Sequence, residues 1–469
     1  MFQSACEFQK PFLLRVLYPS WRIALYSEKI QSALSKAGAK PGSRVRVTEG
    51  KRVFEGILLP RPDAGDADCL VVKLSSGYNV GLSFGLKTKL RTLKGGVELE
   101  KFAKARKKFD LHLPSVSMIA TGGTICNRVD YRTGGVHPLM TPEEMLANAP
   151  QLADMVNLRS VVSPFRMASE DMYCEEWKKL AVLAAKELNE GSRGVIVTHG
   201  TDILHYTSAA LSFMLKHLCK PVAFVGAQRS PDRGSFDGTM NLACAAHYAT
   251  GNIAEVAIVM HGSSSDDYCL AVPGNKARKM HSSRRDAFRP INCLPYAKIW
   301  PDGRTELLRK DFHGRAEDEV VADAVFEPKT ALVKVFPGAS PEIIDFFVDR
   351  KYKGIVLEAW ALGHVPVNPV EKKASWIPAV KRAVEEGVVV AVTTQCLYGR
   401  VHPFVYSNLR ALHATGATYC SDTLPETAFV KLGWLLGHKK LSVGEVKQKM
   451  QENIAGEINP RLTEQDFLV

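Results

Sequence analysis

Two threonines, each directly following a glycine, are the first residues here with the means to do chemistry. Thr124 closes Ile119-Ala120-Thr121-Gly122-Gly123-Thr124, and Thr201 lies in Val197-Thr198-His199-Gly200-Thr201-Asp202. A threonine hydroxyl is a poor nucleophile until a base takes its proton. Asp202 and Lys279, the latter in Ala277-Arg278-Lys279-Met280-His281, are the candidate supports. A lysine serves as base only where burial or a neighbouring cation lets it shed its proton, and Arg278 and Arg284 are near in sequence. The amides of Gly122 and Gly123 are candidate donors to a developing oxyanion. Each motif also has a plain reading. Thr201 or Asp202 makes an ordinary N-cap for a helix starting near Ile203, Lys279 an ordinary solvated charge, and the glycine pair an ordinary turn. Neither glycine turn carries the ending of a phosphate-binding loop or a dinucleotide fingerprint.

These residues need a rigid frame, and the hydrophobic pattern supplies one. Apolar runs such as SVSMIA, GVIVT, PVAFV, EVAIVMH, GIVLEA and VVVAVTT lack alternation. Strands of that kind are buried on both faces, as in a parallel sheet covered by helices. That predicts an α/β fold in two parallel-sheet parts, 114–325 and 326–440, with a C-terminal helix and tail over 441–469. Helices are expected from Glu170 to Asn189, from Thr207 to Leu218 and from Val443 to Asn453. Both glycine turns then fall at the carboxyl ends of strands, where such sheets bind ligands. Residues 1–42 are an extension with a short helix near 26–37, and 96–113 are a charged linker. Between them, 43–95 switch to a period of two in four or five short runs, which predicts a small SH3/Sm-like β-barrel.

The chain has 469 residues and a formal charge of +12, which favours an acidic partner such as RNA or an anionic protein face. Its ten cysteines are scattered singly without a CxxC pair, the pattern of reduced thiols in a cytosolic protein rather than of a zinc or disulfide framework. No apolar run reaches the roughly 20 residues of a membrane helix. The N-terminal stretch has a faint signal-peptide look, interrupted by Glu7, Lys10, Pro11 and Arg15.

Taken together, TGGTI at 121–125, HGTD at 199–202, VGAQRSPDRGSFDG at 225–238, ARKMHSSRRDAF at 277–288 and GIVLEAWALGHVP at 354–366 resemble the L-asparaginase family, in its intracellular type and its homologous amidotransferase subunits. The resemblance covers roughly 114–440. It implies that Thr124 and Thr201 are joint nucleophile candidates, with Asp202 and Lys279 completing the site and Tyr131 assisting from a mobile flap. It also implies that Ser169 and Glu170 bind the α-amino and α-carboxyl ends of the substrate. Ser-Glu stands here where periplasmic relatives tend to have Ser-Gln, which bears on the choice of amide acid.

The segment before the hydrolase, GTICNRVDYRTGGVHP at 123–138 and SDTLPETAFVKLGWLLGH at 421–438 make the likeness closer to glutamine-hydrolysing subunits of tRNA-dependent amidotransferases. That implies a cytoplasmic homodimer within a heterotetramer, without a cofactor of its own. The partner, the amidotransferase's E subunit, would use ATP and Mg to activate Glu-tRNA(Gln) and receive the ammonia. A free-standing L-asparaginase is the competing enzyme reading. A catalytically silent scaffold that presents a basic surface to RNA is the competing reading from another class.

Overall fold

The computed structural model describes residues 26–61, 66–94, 110–126, 128–129, 136–137, 149–231 and 233–467. Tyr131 lies outside them. The chain divides into two compact units, 1–101 with 129–136, and 102–128 with 137–469.

In the first unit, helix α1 (Glu28–Ala37) starts at Ser27, whose hydroxyl accepts from the Ile30 amide, and stops at Gly38 with φ 61°. It presses Ile30 and Leu34 onto five short strands, β1 (Arg44–Glu49), β2 (Arg52–Leu58), β3 (Cys69–Leu74), β4 (Asn79–Ser83) and β5 (Thr88–Thr92). All ladders are antiparallel, in the order β4-β3-β2-β1-β5. Val45, Val47, Leu70 and Val72 point to the buried face. The period-two pattern therefore sits on strands, but β4 and β5 do not pair among the described residues. Among the described residues these strands form one antiparallel sheet whose apolar face α1 covers, and their pairings do not by themselves establish the closed SH3/Sm-like barrel that the alternation predicts.

The second unit is built on two main sheets, with two-stranded ladders beside them. The larger one runs through β6 (Ser115–Ala120), β7 (Asn157–Val162), β8 (Val195–Thr198), β9 (Val222–Val225), β10 (Val256–His261) and β11 (Cys269–Pro273). The β12 (Ala277–Lys279) and β13 (Phe288–Pro290) strands pair with each other apart from it, and β14 (Ala297–Ile299) and β15 (Thr305–Leu307) complete it. Its order is β15-β14-β11-β10-β9-β8-β6-β7. From β7 to β10 every ladder is parallel, and beyond β10 every ladder is antiparallel. The wholly parallel sheet expected from sequence is thus a mixed one. The link from β10 to β11 is too short for the crossover a parallel neighbour requires. The smaller sheet, β16 (Thr330–Lys334), β17 (Gly354–Ala359), β18 (Val389–Thr394) and β19 (Thr418–Tyr419), is parallel throughout.

Helices α2 (Cys174–Asn189), α3 (Leu204–Met214) and α4 (Gly238–Thr250) cover the larger sheet. The smaller one is flanked by α5 (Glu342–Asp349), α6 (Ile377–Glu385) and α7 (Ser407–Ala414). α2 begins four residues later than its apolar stripe suggested. The Glu176 carboxylate accepts the Tyr173 amide at 3.0 Å and starts the helix there, leaving Ser169–Asp171 as a separate 3₁₀ turn. α8 (Pro425–Gly437) joins the two halves, with Trp434 stacked on Phe213 of α3 at 5.6 Å between ring centroids. After α9 (Val443–Gln451) the chain turns inward, and Glu457 reaches Lys431 of α8 at 2.6 Å with both side chains fully buried. Lys431 also donates to the carbonyls of Met450 and Glu452. A second buried ion pair, Lys276–Asp422 at 2.8 Å, ties the segment before β12 to the segment before α8.

Asp422→Asn removes one charge and leaves Lys276 buried and uncompensated. It is expected to cost about 3–5 kcal/mol of folding stability, read as a lower urea midpoint; a midpoint within error of the parent would refute that.

Candidate active site

The site is built where β6 and β8 end beside the segment that follows β7. The Thr121 amide and hydroxyl both donate to the Thr198 carbonyl, at 3.1 and 2.9 Å, locking the two strand ends together. Met167 donates to the Thr121 carbonyl at 3.1 Å and bridges Gly122. Beyond this point the backbones nearly touch. A Cβ on Gly123 would lie 2.3 Å from Gly200 Cα, and one on Gly200 would lie 2.7 Å from Ser169 Oγ. Gly122 and Gly123 also have φ of 117° and 79°, which L side chains rarely adopt. Thr124 and Thr201 are each the next residue after a member of the touching pair.

Lys279 arrives on β12, from across the sheet. Its Nζ donates to Thr201 Oγ1 at 2.9 Å and to Asp202 Oδ1 at 2.7 Å. Thr201 is buried, the lysine side chain is 10% exposed and the Asp202 side chain 62% exposed, so the amine sits at the boundary between core and solvent. The capping reading of Thr201 and Asp202 is not what the structure has. α3 starts from Ile203, and no side chain caps it. Thr124 opens a half-buried 3₁₀ turn and makes no side-chain hydrogen bond among the described residues.

Ser169 is 1% exposed and its Oγ has no partner among the described residues. An orphaned hydroxyl against the second glycine turn is a place for a ligand's polar group. Its neighbour Glu170 is exposed in the same turn.

Several supports were not legible as such. The segment carrying Lys279 is stitched to the start of α8 at three successive points. Thr427 donates to the Asn275 carbonyl at 2.7 Å, Lys276 pairs with Asp422, and Arg278 pairs with Glu426 at 2.9 Å. Burial pushes the Glu426 carboxyl up, against the pull of Arg278. Below Thr201, Gly226 leaves no room for a Cβ, which would meet Thr201 Cγ2 at 2.9 Å. Asn241 donates to the Gly226 carbonyl at 3.0 Å, and Asp237 accepts the Gln228 and Arg229 amides. Burial raises the Asp237 carboxyl, and those amide bonds oppose it. The motif VGAQRSPDRGSFDG marked this loop, but a buried aspartate receiving its own loop's amides has no sequence signature. Among the described residues no three His, Cys, Asp or Glu gather as a metal ion would need, and no helix is long and apolar enough to cross a membrane.

A buried threonine hydroxyl hydrogen-bonded to a lysine amine, on glycine turns at the carboxyl edge of an α/β sheet, is the arrangement of an asparaginase-type amide hydrolase. Family models agree: "Asparaginase, N-terminal" matches residues 115–312, "Glutaminase/Asparaginase C-terminal domain" 329–450, and "GatD N-terminal domain" 39–93. Among solved structures the fold is similar to the thermostable L-asparaginase from Thermococcus kodakarensis, with a TM-score of 0.65 and 26% identity, covering 74% of this chain and 100% of that one. L-asparaginase I from Vibrio cholerae gives 0.64 and 28%, over 74% and 99%. The D subunit of the glutamyl-tRNA(Gln) amidotransferase of Pyrococcus furiosus is 47% identical, over 94% of this chain and all of that protein. That of Pyrococcus abyssi is 48% identical, over 92% and 98%. The chain belongs to the family of glutamyl-tRNA(Gln) amidotransferase D subunits.

Two buried histidines give the site's scaffold a pH signature. His199 is pushed down to about 4 by burial, against its bond to the Gly200 carbonyl, and His205 to about 3 by burial and then by Arg278 and Lys279. Both are neutral in the fold near pH 7 and gain a proton on unfolding below about 6.5. Their contribution is therefore intact above about pH 6.5 and is lost as pH falls through the folded values. Stability should drop between about pH 6.5 and 4 by up to about 1.4 kcal/mol per unit for each histidine. Urea titrations at several pH values measure it, and His205→Gln should flatten the slope by one histidine's share.

Proposed function

We propose that this chain is the glutamine-hydrolysing, ammonia-supplying subunit of a glutamyl-tRNA(Gln) amidotransferase, acting on misacylated Glu-tRNA(Gln) with a partner subunit. The observation that carries the chemistry is the placement of Lys279 Nζ between Thr201 Oγ1 and Asp202 Oδ1, at 2.9 and 2.7 Å. Once deprotonated, the amine accepts the proton of a threonine hydroxyl, or of a water that hydroxyl holds. The freed oxygen attacks the side-chain amide carbon of glutamine, and the amides of the Gly122–Gly123 turn receive the oxyanion. Collapse expels ammonia, which takes its extra proton from the site. Water then cleaves the acyl-enzyme to glutamate. Thr201 holds the hydrogen bond to the base, and Thr124 is the second hydroxyl at the site. Tyr131 assists from the flap. Ser169 and Glu170 bind the two ends of the amino acid, the first through its unpartnered hydroxyl.

The length of the chain supports the amidotransferase reading over a free-standing L-asparaginase. Solved asparaginases are spanned by 74% of it, whereas D subunits match it over more than nine-tenths, the N-terminal unit included. In this reading the E subunit binds ATP and Mg, activates the tRNA-borne glutamate and receives the ammonia. The chain is a cytoplasmic homodimer within a heterotetramer. Phe336, Phe404, Val405 and Tyr406, 47–56% exposed in loops after strands of the smaller sheet, support a protein contact there.

Lys279→Met should lower glutamine turnover on the order of 10²–10⁴-fold with little change in melting temperature; wild-type turnover by that variant would remove the lysine from the mechanism. The isolated chain should release ammonia slowly at saturating glutamine. Adding the partner subunit with Glu-tRNA(Gln) should raise turnover at least about tenfold, or roughly 1.4 kcal/mol of barrier. A basal rate equal to the stimulated one, with rapid asparagine hydrolysis, would instead identify a free-standing asparaginase.

A further inference from the structure

The positive charge of this protein is concentrated in its smallest part. Between Tyr26 and Lys94 there are thirteen Lys and Arg against six Asp and Glu, so this segment carries +7 of the chain's +12. The strand register arranges part of that charge on one face. Arg46 of β1 lies directly opposite Arg91 of β5, and Thr48 opposite Lys89. On its other side Arg46 faces Glu55 of β2, and Thr48 faces Val53. Arg46, Val53, Lys89 and Arg91 are exposed, while the alternate residues Val45 and Val47 are buried beneath α1. The face turned away from the helix is thus a cationic surface.

It is also undercompensated. Glu55 serves two arginines, Arg46 at 2.5 Å and Arg44 at 3.9 Å. Lys87, Lys89 and Arg91 make no ion pair among the described residues. Like charges directly opposite in an antiparallel ladder destabilise it, and Arg91, opposite Arg46 and without a carboxylate of its own among the described residues, favours an external anion there. The face also lacks what a protein interface needs at its centre, since such cores are poor in charge and rich in aromatic residues. Its one large exposed apolar side chain is Val53.

We infer that the outer face of the β1–β5 edge binds the phosphate backbone of RNA and, resting on the function proposed above, that of the tRNA whose glutamate is amidated. Cations that neutralise phosphates release counterions, which makes the binding salt-dependent and largely indifferent to sequence. The surface therefore supplies hold and orientation rather than recognition of the anticodon.

The test uses the full-length chain and labelled, unacylated tRNA(Gln), with Kd read by fluorescence anisotropy across a salt series. Lys89→Glu combined with Arg91→Glu should weaken binding by about tenfold or more at low salt. It should also reduce the slope of log Kd against log salt by about 1 for each lost phosphate contact, with glutamine hydrolysis unchanged. Arg91→Glu alone places a carboxylate opposite Arg46, so its melting temperature should hold or rise while its affinity falls; misfolding cannot mimic that combination. Unchanged Kd and slope, no measurable tRNA binding by the wild type, or a loss of partner-subunit affinity in place of tRNA affinity would each overturn the inference. The function proposal is read separately, from formation of Gln-tRNA(Gln) by the wild-type complex. Its failure would leave the Kd comparison standing.

Discussion

A missing carbon atom organises this hydrolase. Gly123 and Gly200 approach until any Cβ on the first would sit 2.3 Å from the backbone of the second, and Gly200 in turn lies against Ser169. Three chain segments that leave neighbouring strands are thereby brought within one side chain's reach. The rest of the site follows from that approach. Thr201 points from one turn towards Lys279, and the Thr121 bonds to Thr198 keep the strand ends in register. Gly226, held by Asn241 beside buried Asp237, repeats the same device one layer down.

The lysine is positioned by a different strategy. Its strand β12 is a short piece outside the main sheet, and a two-stranded ladder of three residues has little stability of its own. Bonds to the other half of the hydrolase replace what the sheet does not provide. Asn275, Lys276 and Arg278 each engage the beginning of α8 or the residues just before it. Two of these contacts involve carboxylates that are almost wholly buried, where a displaced partner is expensive. A shift of one half against the other would therefore move Nζ relative to the Thr201 hydroxyl. The halves of the hydrolase are tied together at the segment that carries Lys279.

Local signals were legible in the sequence where the physics is local. Unbroken apolar runs such as GVIVT and EVAIVMH announced strands buried on both faces, and the glycine–threonine steps announced turns at their ends. The threonine, aspartate and lysine that meet in space were each marked by motif. What failed to show was long-range or two-sided. Strand direction beyond β10 depends on a turn whose shortness is clear only once β11 is placed. Glu170 reads as the first residue of an apolar-striped helix, yet Glu176 captures the Tyr173 amide and begins it later. Arg278 looked like a possible field for its neighbour, and nothing near it in sequence points to Glu426, 148 positions away.

The inward turn after α9 carries a consequence for biosynthesis. Lys431 is enclosed in α8 with no exposure, and the carboxylate that balances it comes from Glu457, 26 residues nearer the C-terminus. A ribosome therefore completes the strands and α-helices described above before it delivers the counter-charge of Lys431 in α8. A nascent chain interrupted short of that glutamate carries Thr124, Thr201, Asp202 and Lys279 and a Lys431 ammonium without its carboxylate. The last charge that the core requires is thus supplied only near the end of synthesis.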